Sequence, residues 1–202
     1  MNINVRDLDL GYSQCEELNT LSKTSGTNLI SNLSTDINNL KAHWKGTDAT
    51  AHINNLIKVY DALVALVTDA KVITCNSGSA ISTIQEVRRS NGGSGNIGGP
   101  LDGNAPDASS LPTIESTSEY FCDPSARIDY TLLEQICSDY SSFINNFRSQ
   151  KDALMSNWTA GANRENAVKV FDEFDSNSET YNKYLTDAKE NLGIAVSNLS
   201  QL

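Results

Sequence analysis

The 202-residue chain predicts an all-α fold: two helical hairpins packed as an antiparallel four-helix bundle and joined by a long flexible linker. Three observations lead there. Apolar residues recur at alternating intervals of three and four. Two Trp–Gly turns, 114 residues apart, interrupt that periodicity at matching places. A single aperiodic stretch carries all four prolines.

The first hairpin is assigned to residues 1–89. Ile30, Leu33, Ile37, Leu40 and Trp44 follow the 3,4 rule, as do Ile53, Leu56, Tyr60, Leu63, Val67 and Ala70. Such spacing lays one apolar seam along a helix. Between the two runs stands His43-Trp44-Lys45-Gly46-Thr47-Asp48. Glycine ends a helix because it enters the left-handed region without steric cost, and Thr47 or Asp48 is the expected cap of the next helix. So short a break forces antiparallel neighbours.

Residues 90–124 form the expected linker. The stretch is rich in Gly, Ser and Pro, nothing in it is periodic, and such a composition reads as a solvated connector. The glycine run over 92–99 follows no strand and lacks a Gly-Lys-Ser/Thr ending, so it is no phosphate loop. The second hairpin, 125–202, repeats the rule in Leu133, Ile136, Tyr140, Phe143, Phe147, Gln150 and Leu154. It does so again in Ala167, Phe171, Phe174, Ser178, Tyr181, Leu185, Ala188, Leu192, Ala195 and Leu199. Its break is Asn157-Trp158-Thr159-Ala160-Gly161, with Asn163 as the expected cap. No segment sustains period-2 alternation, so strands are not expected. Neither hairpin can cover its own apolar stripe, whereas two laid face to face can.

Composition limits function. With 15 basic and 25 acidic residues the net charge is −10, and the acidic excess lies in the linker and second hairpin. This disfavours nucleic acid and anionic membranes as partners. No run approaches the ~20 apolar residues of a membrane span, and residues 1–7 do not read as a conventional secretory signal. No nucleophile stands beside a placed base, and the Glu-x-x-His pairs of di-metal bundles are absent, so the expectation is a non-enzymatic protein without metal or cofactor. His43 and His52 read as solvent-facing turn residues.

The cysteines leave two readings open. Cys15 lies 29 residues before Trp44 and Cys75 31 after it, so a hairpin bent at that Trp brings them to one height. Cys122 and Cys137 are separated by 15 residues, and a disulfide there would staple the linker's end to the next helix. The alternative is four free thiols of a reducing compartment.

A helix, Trp-x-Gly at the bend and then a helix with an alanine-rich first turn resembles the WXG family, small proteins exported by type VII secretion machinery. Trp44-Lys45-Gly46 matches the motif, and Trp158-Thr159-Ala160-Gly161 matches with one residue inserted. The resemblance, over about 165 residues, implies two such hairpins in tandem. It marks Trp44, Gly46, Trp158 and Gly161 as the turn motif. It also implies a type VII secretion ATPase or a co-secreted helical protein as partner, secretion without a conventional signal peptide, and an association with virulence. The family's export signal is Tyr-x-x-x-Asp/Glu. The nearest segment here is Tyr184-Leu185-Thr186-Asp187, so Tyr181, Tyr184 and Asp187 are the expected docking residues. A cytoplasmic chaperone or adaptor for a larger effector is the alternative. The linker permits either a closed monomeric pseudo-dimer or a domain-swapped dimer.

Overall fold

The protein is described by a computed structural model covering residues 4–123 and 125–199, without the side chains of 126–128, 196, 198 and 199. The fold is an all-α helical bundle. Its helices are α1 (Leu8–Leu21), α2 (Thr27–His43), α3 (Thr47–Ser90), α4 (Ala126–Asn157) and α5 (Ala162–Leu199). A π-helical turn, Ser22–Gly26, joins α1 to α2. None of the described helices is long and apolar enough to cross a membrane.

The π turn follows from the seam. Leu18, Ser22, Gly26 and Ile30 are all buried and stand four apart three times running, which overruns the α-helical period. One wide turn absorbs the surplus. The Ser22 hydroxyl donates to the Leu18 carbonyl at 2.9 Å. At Gly26, the Val67 side chain packs so close that a Cβ would lie 2.8 Å from its Cγ1.

The chain forms two compact units, and each draws on both hairpins. The first unit comprises residues 1–26, 66–106 and 143–178. Its core includes Cys15, Leu18, Val67, Phe147, Phe171 and Phe174, with the Phe147 and Phe174 rings 4.5 Å apart. Arg148 and Lys151 both reach Asp175 across α4 and α5. The second unit comprises residues 27–65, 107–142 and 179–202. Its core includes Leu33, Ile37, Leu40, Ile53, Tyr140 and Leu185. Leucine and aromatic side chains at 0–3% exposure fill the seam positions in both.

Four very short strands were not expected from periodicity. β1 (Asn4–Val5) pairs antiparallel with β4 (Trp158–Ala160) in the first unit. β2 (Trp44–Lys45) pairs antiparallel with β3 (Phe121–Cys122) in the second. With two or three residues apiece, they are too short to leave an alternation signal.

The expected solvated connector proves to be a strap tied to the helices by hydrogen bonds. In the first unit Gly98 accepts from the Ser82 hydroxyl (2.8 Å) and donates to the Gln85 side chain (2.9 Å). The Tyr12 hydroxyl donates to the Gly99 carbonyl, and Asn19 donates to that of Asp102 (2.8 Å). Lys71, only 4% exposed, pairs with the Asp102 carboxylate at 3.0 Å. That contact is the main cause of a carboxyl pKa below the ordinary value. In the second unit Asn54 and Ile114 exchange two hydrogen bonds of 2.9 Å, and Tyr60 donates to the Ser109 carbonyl. A segment without apolar periodicity has no stripe to bury. This one is fixed through its backbone by polar side chains of α1, α2 and α3.

The glycines of the strap are unequal. A Cβ on Gly98 would lie 2.1–2.3 Å from three atoms of the Tyr12 ring, whereas one on Gly99 would meet nothing within 4 Å. Gly98→Ala is expected to lift the strap from α1 and cost about 1–3 kcal/mol, the usual range for overpacking. Gly99→Ala should be silent. Thermal melts together with amide exchange over residues 96–103 separate the two.

Candidate functional site

The two Trp–Gly turns are built to one plan. Each helix ends at a tryptophan buried to 0–1% exposure, and each turn closes on a glycine with positive φ, +123° at Gly46 and +121° at Gly161. An L side chain is strained there, so the glycine is required. Such a turn leaves buried backbone groups in need of partners. They come from the extended lead of the other hairpin. At the Trp158 turn, Arg6 N donates to the Asn157 carbonyl at 3.0 Å, beside β1–β4. At the Trp44 turn, Asp123 N donates to the His43 carbonyl at 2.8 Å, beside β2–β3. In both cases the donor follows the strand and the acceptor precedes the tryptophan.

The surroundings differ. In the first unit the Asn157 side chain brackets Asp7, accepting from its N–H (3.0 Å) and donating to its carbonyl (2.7 Å). The Arg164 guanidinium donates to the Trp158 carbonyl. Trp158 forms part of a cleft of about 230 Å³ between α3 and α5, with Ile73, Ala80 and Val170 as apolar walls and Asn76 and Asn163 as polar ones. Asn163 thus sits inside α5 on the cleft wall.

In the second unit Trp44 stacks on His52 with ring centroids 5.5 Å apart. Burial lowers the pKa of that imidazole, against an opposing pull from Asp48. Helix α3 starts at Thr47, straight after Gly46, whose carbonyl accepts from both the amide and the hydroxyl of Thr50 at 2.9 Å. Tyr120 lies over Gly46, and Lys45 faces Glu119 at 3.8 Å. Tyr120 and Phe121 are exposed. His43 contacts the buried Asp129 at 3.1 Å. The expectation of two solvent-facing histidines is corrected, since each is half-buried against a partner from the fold.

The three expected docking residues fall in two places. Tyr181 is 3% exposed and packs on Tyr140 at 4.7 Å, and burial lifts its hydroxyl pKa well above the ordinary value. It is a core residue. Tyr184 and Asp187, one turn apart on α5, are exposed.

All four cysteines are free thiols, so of the two readings left open neither candidate disulfide is formed. Cys122 sits in β3 and Cys137 stands 11 residues beyond the start of α4, about 16 Å along the helix axis, outside disulfide reach. Cys75 turns to the strap and donates to the Leu101 carbonyl at 3.3 Å. Cys15 is wholly enclosed, and burial pushes its pKa up to about 12. Burial also raises the thiols of Cys122 and Cys137. Among the described residues, no group of three or more His, Cys, Asp or Glu is placed to hold a metal ion.

Sequence reasoning passed over Asp36, Asp129 and Lys71, the charged residues buried among those described. Asp36 did leave a signal, because it occupies the 3,4 spacing of Leu29, Leu33 and Leu40 where an apolar residue belongs.

No family model, curated protein or solved structure matches the chain.

The thiols give a direct check of this geometry. Alkylation of the native protein should modify Cys75, Cys122 and Cys137 while sparing Cys15, which reacts only as the first unit unfolds. Labelling of Cys15 in native buffer at the rate of the other three would contradict its placement.

Proposed function

We propose that the protein is a non-enzymatic tandem hairpin of the WXG type, a substrate of a bacterial type VII secretion pathway or a carrier or partner within it. What carries the reading is the repeated Trp–Gly turn. Two tryptophans, two positive-φ glycines and two strand clamps that each pair at the tryptophan, the second turn with one bulged residue, are what a tandem duplication of one hairpin leaves behind. Recognition rests on the surface and needs no reaction. Tyr184 and Asp187 offer an aromatic anchor and a charge on one exposed face of α5. Tyr181 contributes by holding α5 against α4.

Export of the protein is followed in cells and culture supernatant of its native host, with and without the membrane ATPase of the type VII system. Appearance outside only when the ATPase is present is the expected result. Retention inside in both strains would overturn export and favour the cytoplasmic adaptor. The double variant Tyr184→Ala, Asp187→Ala should lose most of its export. Both side chains are exposed, so its stability should stay within about 0.5 kcal/mol of the parent.

A further inference from the structure

Below the Trp44 turn, the second unit buries two carboxyl groups within electrostatic reach of each other. Asp36 of α2 is 1% exposed and Asp129, in the first turn of α4, is 2% exposed. Neither oxygen of Asp36 has a hydrogen-bond partner among the described residues. Asp129 has His43 at 3.1 Å. A buried carboxylate without a partner is costly, and a second carboxylate beside it adds repulsion. The site therefore favours Asp36 as the neutral acid. Burial first, and Asp129 second, push its pKa up to about 8. Among the described residues, the titratable groups facing it are Asp129 from α4 and, beyond Asp129, His43 of α2. Asp123, at the end of β3, faces His43 in turn.

The cluster sits where three tethers meet. Asp123 N donates to the His43 carbonyl, its carboxylate accepts from Ser125 N at 2.7 Å, and Asp129 N donates to the Ser125 carbonyl. Together with the His43–Asp129 contact, these bonds fasten the start of α4 and the end of the strap to the end of α2. We propose that Asp36, Asp129 and His43 form a proton-dependent latch that holds the start of α4 and strand β3 on the Trp44 turn, closed while Asp36 keeps its proton and released when it ionises.

The sign of the effect is fixed by linkage. In the unfolded chain Asp36 titrates near the ordinary carboxyl value of about 3.9. Below that pH it is protonated in both states and adds no pH dependence. From there to about pH 8 the folded state holds a proton that the unfolded state has lost, so its share of stability declines as pH rises. Above that range the loss is complete. Each pH unit in the window lowers the folding constant about tenfold through this group.

The test uses the full chain. Carbon-13 carboxyl NMR of the wild type should show one aspartate titrating several units above the rest. Assignment to Asp36 follows from loss of that signal in Asp36→Asn. Urea unfolding between pH 5.5 and 8 should give Asp36→Asn a pH profile shallower than wild type by about tenfold in the folding constant per unit. Amide exchange at Asp123 and Asp129 should accelerate with the same midpoint in the wild type alone. Asp36→Leu, which removes the carboxyl without leaving an amide to satisfy, should flatten the profile likewise if the Asn variant folds poorly. A wild-type Asp36 signal titrating below pH 5 would overturn the proposal. So would parallel pH profiles for wild type and variants, or exchange at Asp123 and Asp129 that ignores the titration.

Discussion

The structure depends on the burial of a tryptophan at each hairpin turn. A turn is ordinarily the part of a hairpin that faces water, which satisfies its backbone groups. Here the tryptophans themselves, Trp44 and Trp158, are buried to 1% and 0% exposure while residues such as Lys45, Thr47 and Asp48 stay exposed, and the carbonyls preceding the tryptophans take their hydrogen bonds from the protein. Each hairpin therefore needs the extended lead of the other to complete its own bend. Arg6 N and Asp123 N meet that need at Asn157 and His43. The glycine that follows each tryptophan is a consequence, because only a positive φ returns the chain to a helix within so few residues.

The same constraint gives the proline-rich segment its place. Delivering Asp123 and β3 to the Trp44 turn requires a chain that leaves α3 and travels extended. Its backbone groups then find partners in Ser82, Gln85, Asn19, Tyr60 and Asn54 along the way. Lys71 and Asp102 add a charge pair, with the ammonium nearly enclosed and the carboxylate partly open to water. Removing one partner of such a pair costs far more than the pair itself contributes, so it specifies position more than it adds stability.

Much of the fold was legible in the spacing. The residues at 3,4 intervals from Ile30 to Trp44 and from Phe171 to Leu192 are buried, because period alone decides which face meets the core. That rule also placed Tyr181 inside, since it stands between Ser178 and Leu185 on the seam. Motif resemblance pulled it toward the surface, and packing won. The strand pairs and the strap were illegible for another reason. Two-residue ladders have no period, and contacts made through backbone carbonyls leave no side-chain signature. His43 was misjudged because its partner Asp129 stands on the other hairpin, 86 residues on, and His52 because the turn folds its ring back onto Trp44 of the same hairpin. Asp36 was legible as an anomaly, an acid on an apolar stripe, but its meaning required the second carboxyl on α4.

The two hairpins complete each other's turns. Amide exchange of the intact protein at Arg6 and Asp123, the two donors, tests this most directly. The account predicts protection at both amides comparable to that of the neighbouring helices, since they are released only when the turns open. Exchange at Arg6 and Asp123 at the rate of free chain, while α3 and α5 stay protected, would contradict it.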